Sequence, residues 1–186
     1  MAKNIYGGGS NTNANGLNFE QETYLKDALL KIPGYYIQGN SIYFNNSFIG
    51  IIASKHDLYR VLLEPNGINY KEIISKKLLP DEAIYLESLK TVFIIEKKFQ
   101  NVAGSVDEKL QTCGFKKRQY TKLFSLLNIE VEYLYIFNDW FSQPQYNDVL
   151  EYIKESDCNY FFNEIPLQFL GLPHISWKHN KSKLSL

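Results

Sequence analysis

The spacing of apolar residues along the chain predicts a mixture of helices and strands. In segment 17–32 the apolar residues recur at helical intervals, which predicts an amphipathic helix with Asn18 as its N-cap. Pro33-Gly34 ends that helix. Glu20 would therefore lie in its first turn.

The next part of the chain changes to short β-prone runs separated by turn-forming residues. Runs 35–37, 41–44 and 48–53 are separated by Gly39-Asn40 and Asn45-Asn46, so strands joined as hairpins are expected. Segments 55–63 and 70–79 favour short helices, the first ended by Pro65-Asn66-Gly67.

The second half contains the most pronounced strand, TVFIIEKKF at 91–99, which opens with apolar residues on both faces as a central strand should. Segment 81–85 leads into it. Residues 106–127 predict one long helix, 130–137 another strand, and 147–156 a further helix.

Composition indicates one folded unit. The chain has 186 residues and 45% hydrophobic content, which suits one sizeable core. We expect a single domain over 1–186, with a flexible arm at 1–16 and a frayed tail at 174–186.

Charge and targeting signals narrow the class of protein. Twenty basic residues balance twenty acidic ones, which argues against strong autonomous binding to nucleic acid. No apolar run suits a signal peptide or a membrane span, and Cys113 and Cys158 lack the spacing of a zinc site. A soluble cytoplasmic protein without membrane partners is expected.

One group of residues carries candidate chemistry. Side chains two apart on a strand share a face, so Glu96, Lys98 and Gln100 should project together. Asp81 begins a segment that could pair antiparallel with that strand through a turn at 87–90, which would bring it close to Glu96. Two carboxylates suit Mg²⁺, and Lys98 beside them could orient water or offset charge on a phosphate.

These residues carry a family resemblance. The order Glu20, Pro80-Asp81, Glu96-Lys97-Lys98 resembles the helix glutamate and PD-(D/E)xK signature of the restriction-endonuclease superfamily. The segment that follows is more specific. Its sequence, FIIEKKFQNVAGSVDEKLQTCGFKKRQY, resembles the catalytic block of type IIS enzymes, and in particular the small subunit of a heterodimeric type IIS endonuclease. The resemblance covers roughly residues 17–140.

The resemblance implies an α/β fold with a restriction-endonuclease-like core, which is a central mixed sheet flanked by helices. It also implies Mg²⁺-dependent hydrolysis of one strand of double-stranded DNA, with Asp81, Glu96 and Glu20 as metal ligands. Since no separate recognition module is visible, a large partner subunit would read the sequence. The alternatives are a non-catalytic DNA-binding or assembly subunit with the same fold, and a repair or mobile-element nuclease.

Basic residues downstream of the strand could contact DNA phosphates. Together with Gln100 they form the candidate DNA-binding set: Lys109, Lys116, Lys117, Arg118 and Lys122. The alternative is that they form the ordinary solvated face of a helix.

Several other residues are alternative candidates for functional roles. Asp57 rivals Asp81 but is better explained as a helix cap, Glu22 rivals Glu20, and Glu82 should face the opposite side at the surface. Histidines 56, 174 and 179 form no spaced cluster. Aromatic residues 140, 141 and 146 are more typical of a core than of a base-stacking site.

Overall fold

Seven strands form one mixed sheet at the centre of the computed structural model. The structure describes residues 16–20, 23–102 and 106–174, without the side chains of 106 and 107. Seven of the strands in these residues form the large sheet and two form a small one. The strands are β1 (Gly16–Asn18), β2 (Tyr35–Gln38), β3 (Ser41–Phe44), β4 (Ser47–Ala53), β5 (Glu82–Leu86), β6 (Thr91–Lys98), β7 (Glu130–Phe137), β8 (Asn159–Phe162) and β9 (Glu164–Pro166).

Helices cover both faces of this sheet. They are α1 (Leu25–Leu30), α2 (Val106–Leu110), α3 (Cys113–Ser125), α4 (Asn147–Glu155) and α5 (Leu167–Leu170), with a π-helical turn at Leu58–Leu63. None of the helices in the described part of the chain has the length and apolar character that a membrane crossing requires.

The large sheet has the order β2-β3-β4-β5-β6-β7-β8. Neighbours from β2 to β6 run antiparallel, whereas β6, β7 and β8 are parallel to one another. The parallel strands are joined through α2 and α3 and then through α4, because a parallel pair needs a crossover connection. The predicted mixed sheet flanked by helices is confirmed.

The central strand β6 separates two hydrophobic clusters. Val92 and Ile94 belong to the cluster that also contains residues of α3 and α4, and Phe93 and Ile95 belong to the one that contains residues of α1, β9 and α5. Both faces of β6 are therefore buried, which explains why its sequence is apolar without alternation. The polar residues that follow Ile95 mark where the strand leaves the core.

The predicted hairpin between segments 81–85 and 91–99 is confirmed. Strands β5 and β6 pair antiparallel, with Ala83 opposite Ile94 and Glu82 opposite Ile95. Continuing this register by one residue places Asp81 opposite Glu96. The earlier hairpins are also confirmed, and Asn45 and Asn46 form the β3–β4 turn with positive φ angles of 48° and 66°.

The predicted helix at 17–32 is wrong in its first half. Residues 16–18 form β1, which pairs antiparallel with β9, and α1 begins only at Leu25. Leu17 and Phe19 are buried on either side of the exposed Asn18, as expected for an extended segment. The apolar spacing of these residues therefore suits either a helix or a strand. Pairing with β9, which is distant in sequence, selects the strand.

The predicted helix at 106–127 is broken at residues 111–112, where hydroxyl groups bond the backbone carbonyls that precede the break. The Thr112 hydroxyl donates to the Lys109 carbonyl at 2.7 Å, and the Tyr135 hydroxyl contacts the carbonyls of Lys109 and Leu110, each at 3.3 Å. Of the helix predicted at 70–79, only a 3-10 turn at Tyr70–Glu72 forms.

The last part of the described chain completes the fold. Strand β8 extends the large sheet beyond β7, and β9 pairs with β1. Leu167, Leu170 and Leu172 are buried in the same cluster as α1. The predicted arm and tail fall outside the described residues, except for Gly16 in β1 and the exposed His174.

Candidate active site

The carboxylates of Asp81 and Glu96 face the same side of the sheet at the point where β5 begins and β6 ends. Asp81 follows the buried Pro80 and is fixed by the Lys97 backbone N–H, which donates to its Oδ2 at 2.9 Å. The side chain of Glu96 is 7% exposed, whereas that of Asp81 is 36% exposed. One carboxylate is therefore buried at the base of the site and the other lies at its mouth.

Lys98 connects the two carboxylates. Its ammonium nitrogen lies 3.1 Å from Glu96 Oε2 and 3.5 Å from Asp81 Oδ2, and it donates to the Lys97 carbonyl at 3.0 Å. The side chain is 16% exposed. A single positive charge is thus surrounded by three oxygen atoms from three residues.

These oxygens are the kind of ligands that Mg²⁺ requires. Magnesium prefers hard oxygen donors and commonly binds through one or two carboxylates while it keeps several waters. Asp81, Glu96 and the Lys97 carbonyl already surround a cation in the form of the Lys98 ammonium. The donor set at this point therefore fits a magnesium ion.

Glu20 does not complete that set. It lies in an exposed segment before α1, where its backbone N–H donates to the Thr23 hydroxyl at 3.1 Å. In the part of the chain that the structure describes, no three carboxylate, imidazole or thiol side chains are grouped to hold a metal. The rival Glu22 lies outside the described residues. A metal-ligand role for Glu20 stays a prediction.

A second lysine reaches Glu96 from the covering helix. Lys116, in the first turn of α3, places its ammonium nitrogen 3.4 Å from Glu96 Oε1. Its side chain is 27% exposed, so it does not belong to a fully solvated helix face. The sequence indicated a basic helix here but gave no signal that one of its lysines contacts the site.

The other candidate DNA-binding residues have different surroundings. Lys117 is 13% exposed and pairs with Asp157 at 2.8 Å and with Glu132 at 3.7 Å. Lys109, Arg118 and Lys122 are exposed, or nearly so, on α2 and α3. DNA binding by this set stays a prediction.

Gln100 forms hydrogen bonds through its backbone. Its N–H donates to the Asn138 amide oxygen at 3.2 Å, and its carbonyl accepts from the same amide at 2.8 Å. Neither the nitrogen nor the oxygen of its buried side-chain amide has a hydrogen-bond partner within the described residues. A buried amide without a partner costs about 1–3 kcal/mol, so a water or a ligand is expected to bond this side chain.

Glu82 was predicted to lie at the surface, and that prediction is wrong. It faces away from Asp81 as expected, but it is only 3% exposed because α1 covers that side of β5. The Leu25 N–H at the start of α1 donates to Glu82 Oε1 at 3.2 Å, and the Lys97 ammonium lies 3.6 Å from the same oxygen. Burial raises the pKa of Glu82, an effect that its contacts with Leu25 and Lys97 oppose.

Lys97 joins this buried carboxylate to the segment before α1. Its ammonium donates to the Thr23 carbonyl at 3.0 Å and lies 4.9 Å from the centre of the Tyr24 ring. Its backbone N–H meanwhile holds Asp81. One residue between Glu96 and Lys98 thus connects both faces of the sheet, and it fixes the segment that carries Glu20.

The remaining rivals lie elsewhere. Asp57 occupies the position before the π-helical turn but pairs with Arg60 at 2.9 Å instead of capping the helix. His56 and His174 are exposed, and His179 lies outside the described residues. Phe141 and Tyr146 are buried in the core, and the Trp140 indole donates to the Tyr146 hydroxyl at 2.8 Å, so the core interpretation of these aromatics is confirmed.

The part of the chain that carries this geometry belongs to a known protein family. The sequence matches a family model described as a PD-(D/E)XK nuclease superfamily domain over residues 20–120, which is more than half of the chain. That segment contains Asp81, Glu96, Lys98 and Lys116. No curated protein and no solved structure matches the chain significantly.

Proposed function

Because the chain belongs to the PD-(D/E)XK nuclease superfamily, we propose that Asp81, Glu96 and Lys98 form its phosphodiesterase centre and that Mg²⁺ is the cofactor. The observation that carries this proposal is the position of the Lys98 ammonium, within 3.5 Å of both carboxylates. The local contacts supply both halves of a hydrolytic site, which are oxygens for a metal and a fixed positive charge.

The chain's own groups would divide the work. Asp81, Glu96 and the Lys97 carbonyl would hold the ion, which lowers the pKa of bound water and offsets charge on phosphate oxygens. Lys98 orients the attacking water and stabilises negative charge that builds on the phosphate. The water oxygen bonds to phosphorus and releases a proton to solvent as the bond to the leaving sugar oxygen breaks, and that sugar oxygen takes up a proton from solvent.

We further propose that the substrate is double-stranded DNA and that a larger partner subunit selects the site, as in heterodimeric type IIS endonucleases. The net charge of zero supports this, since affinity for DNA must then come from a local patch or a partner. The described residues are also taken up by the sheet and its two hydrophobic clusters, with no separate DNA-recognition unit among them. One centre cuts one strand, so a double-strand break needs a second centre.

The nuclease proposal is tested with supercoiled plasmid and Mg²⁺. The tagged chain is assayed alone and after copurification with its partners from the cells that encode it. We expect nicking that depends on Mg²⁺ and falls at least about a hundredfold in Asp81→Asn and Glu96→Gln, because several kcal/mol of transition-state stabilisation is lost.

Glu87→Gln is the matched control, since it removes a carboxylate from the exposed turn between β5 and β6. Equal cleavage by Glu96→Gln and Glu87→Gln would overturn the assignment of the centre. Site-specific cleavage by the chain without any partner would overturn the two-subunit proposal and leave the centre in place.

A further inference from the structure

Glu96 has two ammonium partners, and only one of them belongs to its own strand. Lys98 contacts Oε2 at 3.1 Å, and Lys116 of α3 contacts Oε1 at 3.4 Å. With Asp81, the site holds two carboxylates and two lysines. The metal-free site is therefore close to neutral, and a divalent cation added to it would leave a large excess of positive charge.

The position of Lys116 is unfavourable without Glu96. The first turn of a helix carries the positive end of its dipole, where cations are disfavoured. No acidic residue occupies the first turn of α3 to offset this. The contact with Glu96 thus compensates for a lysine at this position.

The two lysines differ in how firmly they are held. Lys98 contacts three oxygens and is 16% exposed, whereas within the described residues Lys116 has one ion pair, with Glu96, and is 27% exposed. A lysine side chain with one ion pair and access to solvent can change partners at small cost. Lys116 is accordingly the cation that can leave when a metal arrives.

We propose that Lys116 is a displaceable counter-ion: it pairs with Glu96 in the metal-free protein and moves to a DNA phosphate when the metal binds. This rests on the proposed function, in which Asp81 and Glu96 hold the metal. It makes metal and DNA bind cooperatively, because each makes the displacement of Lys116 less costly for the other. The site would then assemble fully only on substrate.

The test measures metal affinity by calorimetry with and without a DNA duplex, using Ca²⁺ as an oxygen-seeking probe and a gel to confirm that the duplex stays intact. Without DNA, we expect Lys116→Gln to bind Ca²⁺ about tenfold more tightly than the wild type, since one nearby charge is removed. The duplex should raise Ca²⁺ affinity in the wild type and much less in the variant.

Lys76→Gln is the control for net charge, because it removes an exposed lysine that belongs neither to the site nor to the candidate DNA-binding set. Its DNA-free Ca²⁺ affinity should match the wild type, and Lys116→Arg, which keeps the charge, should restore weak binding. Equal affinities in Lys116→Gln and the wild type, or no binding by either, would overturn the inference.

Glu96→Gln distinguishes failure of the metal site from failure of the counter-ion role of Lys116. Loss of Ca²⁺ binding in Glu96→Gln together with no effect of Lys116→Gln would leave the proposed metal site standing and remove only the counter-ion. Unchanged Ca²⁺ binding in Glu96→Gln would overturn both.

Discussion

Asp81 and Glu82 are neighbours in the chain, yet they meet opposite environments. Asp81 lies at the mouth of the candidate site beside Lys98, and Glu82 is buried against α1 with Lys97. Strand alternation accounts for the two directions. The burial of Glu82 depends on how α1 packs on the sheet, which no local pattern of residues reveals.

The buried Glu82 should make stability depend on pH. Its pKa is raised by burial, so its protonated form favours folding, and that stability is lost as pH rises from about 4.5 through the folded-state pKa. We expect the free energy of unfolding of the wild type to fall relative to Glu82→Gln over this range. Urea denaturation at a series of pH values measures it.

The control for this experiment is Glu87→Gln, which alters an exposed carboxylate five residues further along, in the turn after β5. Its unfolding free energy should follow the wild type at every pH. A constant difference between the wild type and Glu82→Gln across the range would show that Glu82 titrates alike in the folded and unfolded chain.

Lys98 should separate chemistry from metal binding. Since its ammonium acts on water and phosphate and competes with the metal for the same oxygens, Lys98→Ala should lower cleavage at least about a hundredfold without weakening Ca²⁺ affinity. Plasmid nicking and calorimetry on one preparation compare the two. Normal cleavage by this variant would remove Lys98 from the mechanism.

At the scale of elements, the hairpin of β5 and β6 determines the geometry of the site. Its register could be predicted because both strands and their turn are adjacent in sequence. The position of β1 could not, since its partner β9 lies near the other end of the chain. The contact of Lys116 with Glu96 was missed for a similar reason, because it depends on how α3 crosses the sheet.

Strand β4 packs so closely against β5 at Gly50 that there is no room for a side chain at this position. A Cβ added to Gly50 would lie 2.0 Å from the Tyr85 carbonyl oxygen, which belongs to backbone and cannot easily move. We expect Gly50→Ala to lower the free energy of unfolding by about 1–3 kcal/mol or more. Urea denaturation measures the change.

Gly39→Ser is the comparison within the same sheet. Nothing lies within 4 Å of a Cβ at Gly39, so a side chain there meets only the backbone strain of its φ of +60°, about 1–2 kcal/mol. Its effect should therefore be the smaller of the two. A larger loss of stability in Gly39→Ser than in Gly50→Ala would contradict the close packing of β4 on β5.

At the scale of the whole molecule, the family segment and the folded unit do not coincide. The match ends at residue 120, within α3, whereas the sheet continues through β7 and β8. The stretch beyond residue 140 carried no recognisable motif, yet it supplies β9 and α5 to the cluster that covers β6. Its role is to complete the core behind the candidate site.

Leu170 provides a test of that role. It is fully buried in α5, so Leu170→Ala should lower the free energy of unfolding by about 2–5 kcal/mol. Leu126→Ala, at a leucine that is 66% exposed, should change it by less than about 0.5 kcal/mol. Similar small effects in both variants would mean that the C-terminal elements contribute little to the fold.

The central claim is that Asp81 and Glu96 hold a divalent metal beside Lys98, and anomalous diffraction from crystals grown with DNA and Mn²⁺ tests it most directly. We expect an anomalous peak at about 2.0–2.3 Å from oxygens of both carboxylates in the wild type, and none there in Glu96→Gln. A peak bound to other residues, or no peak between Asp81 and Glu96 in the wild type, would contradict the claim.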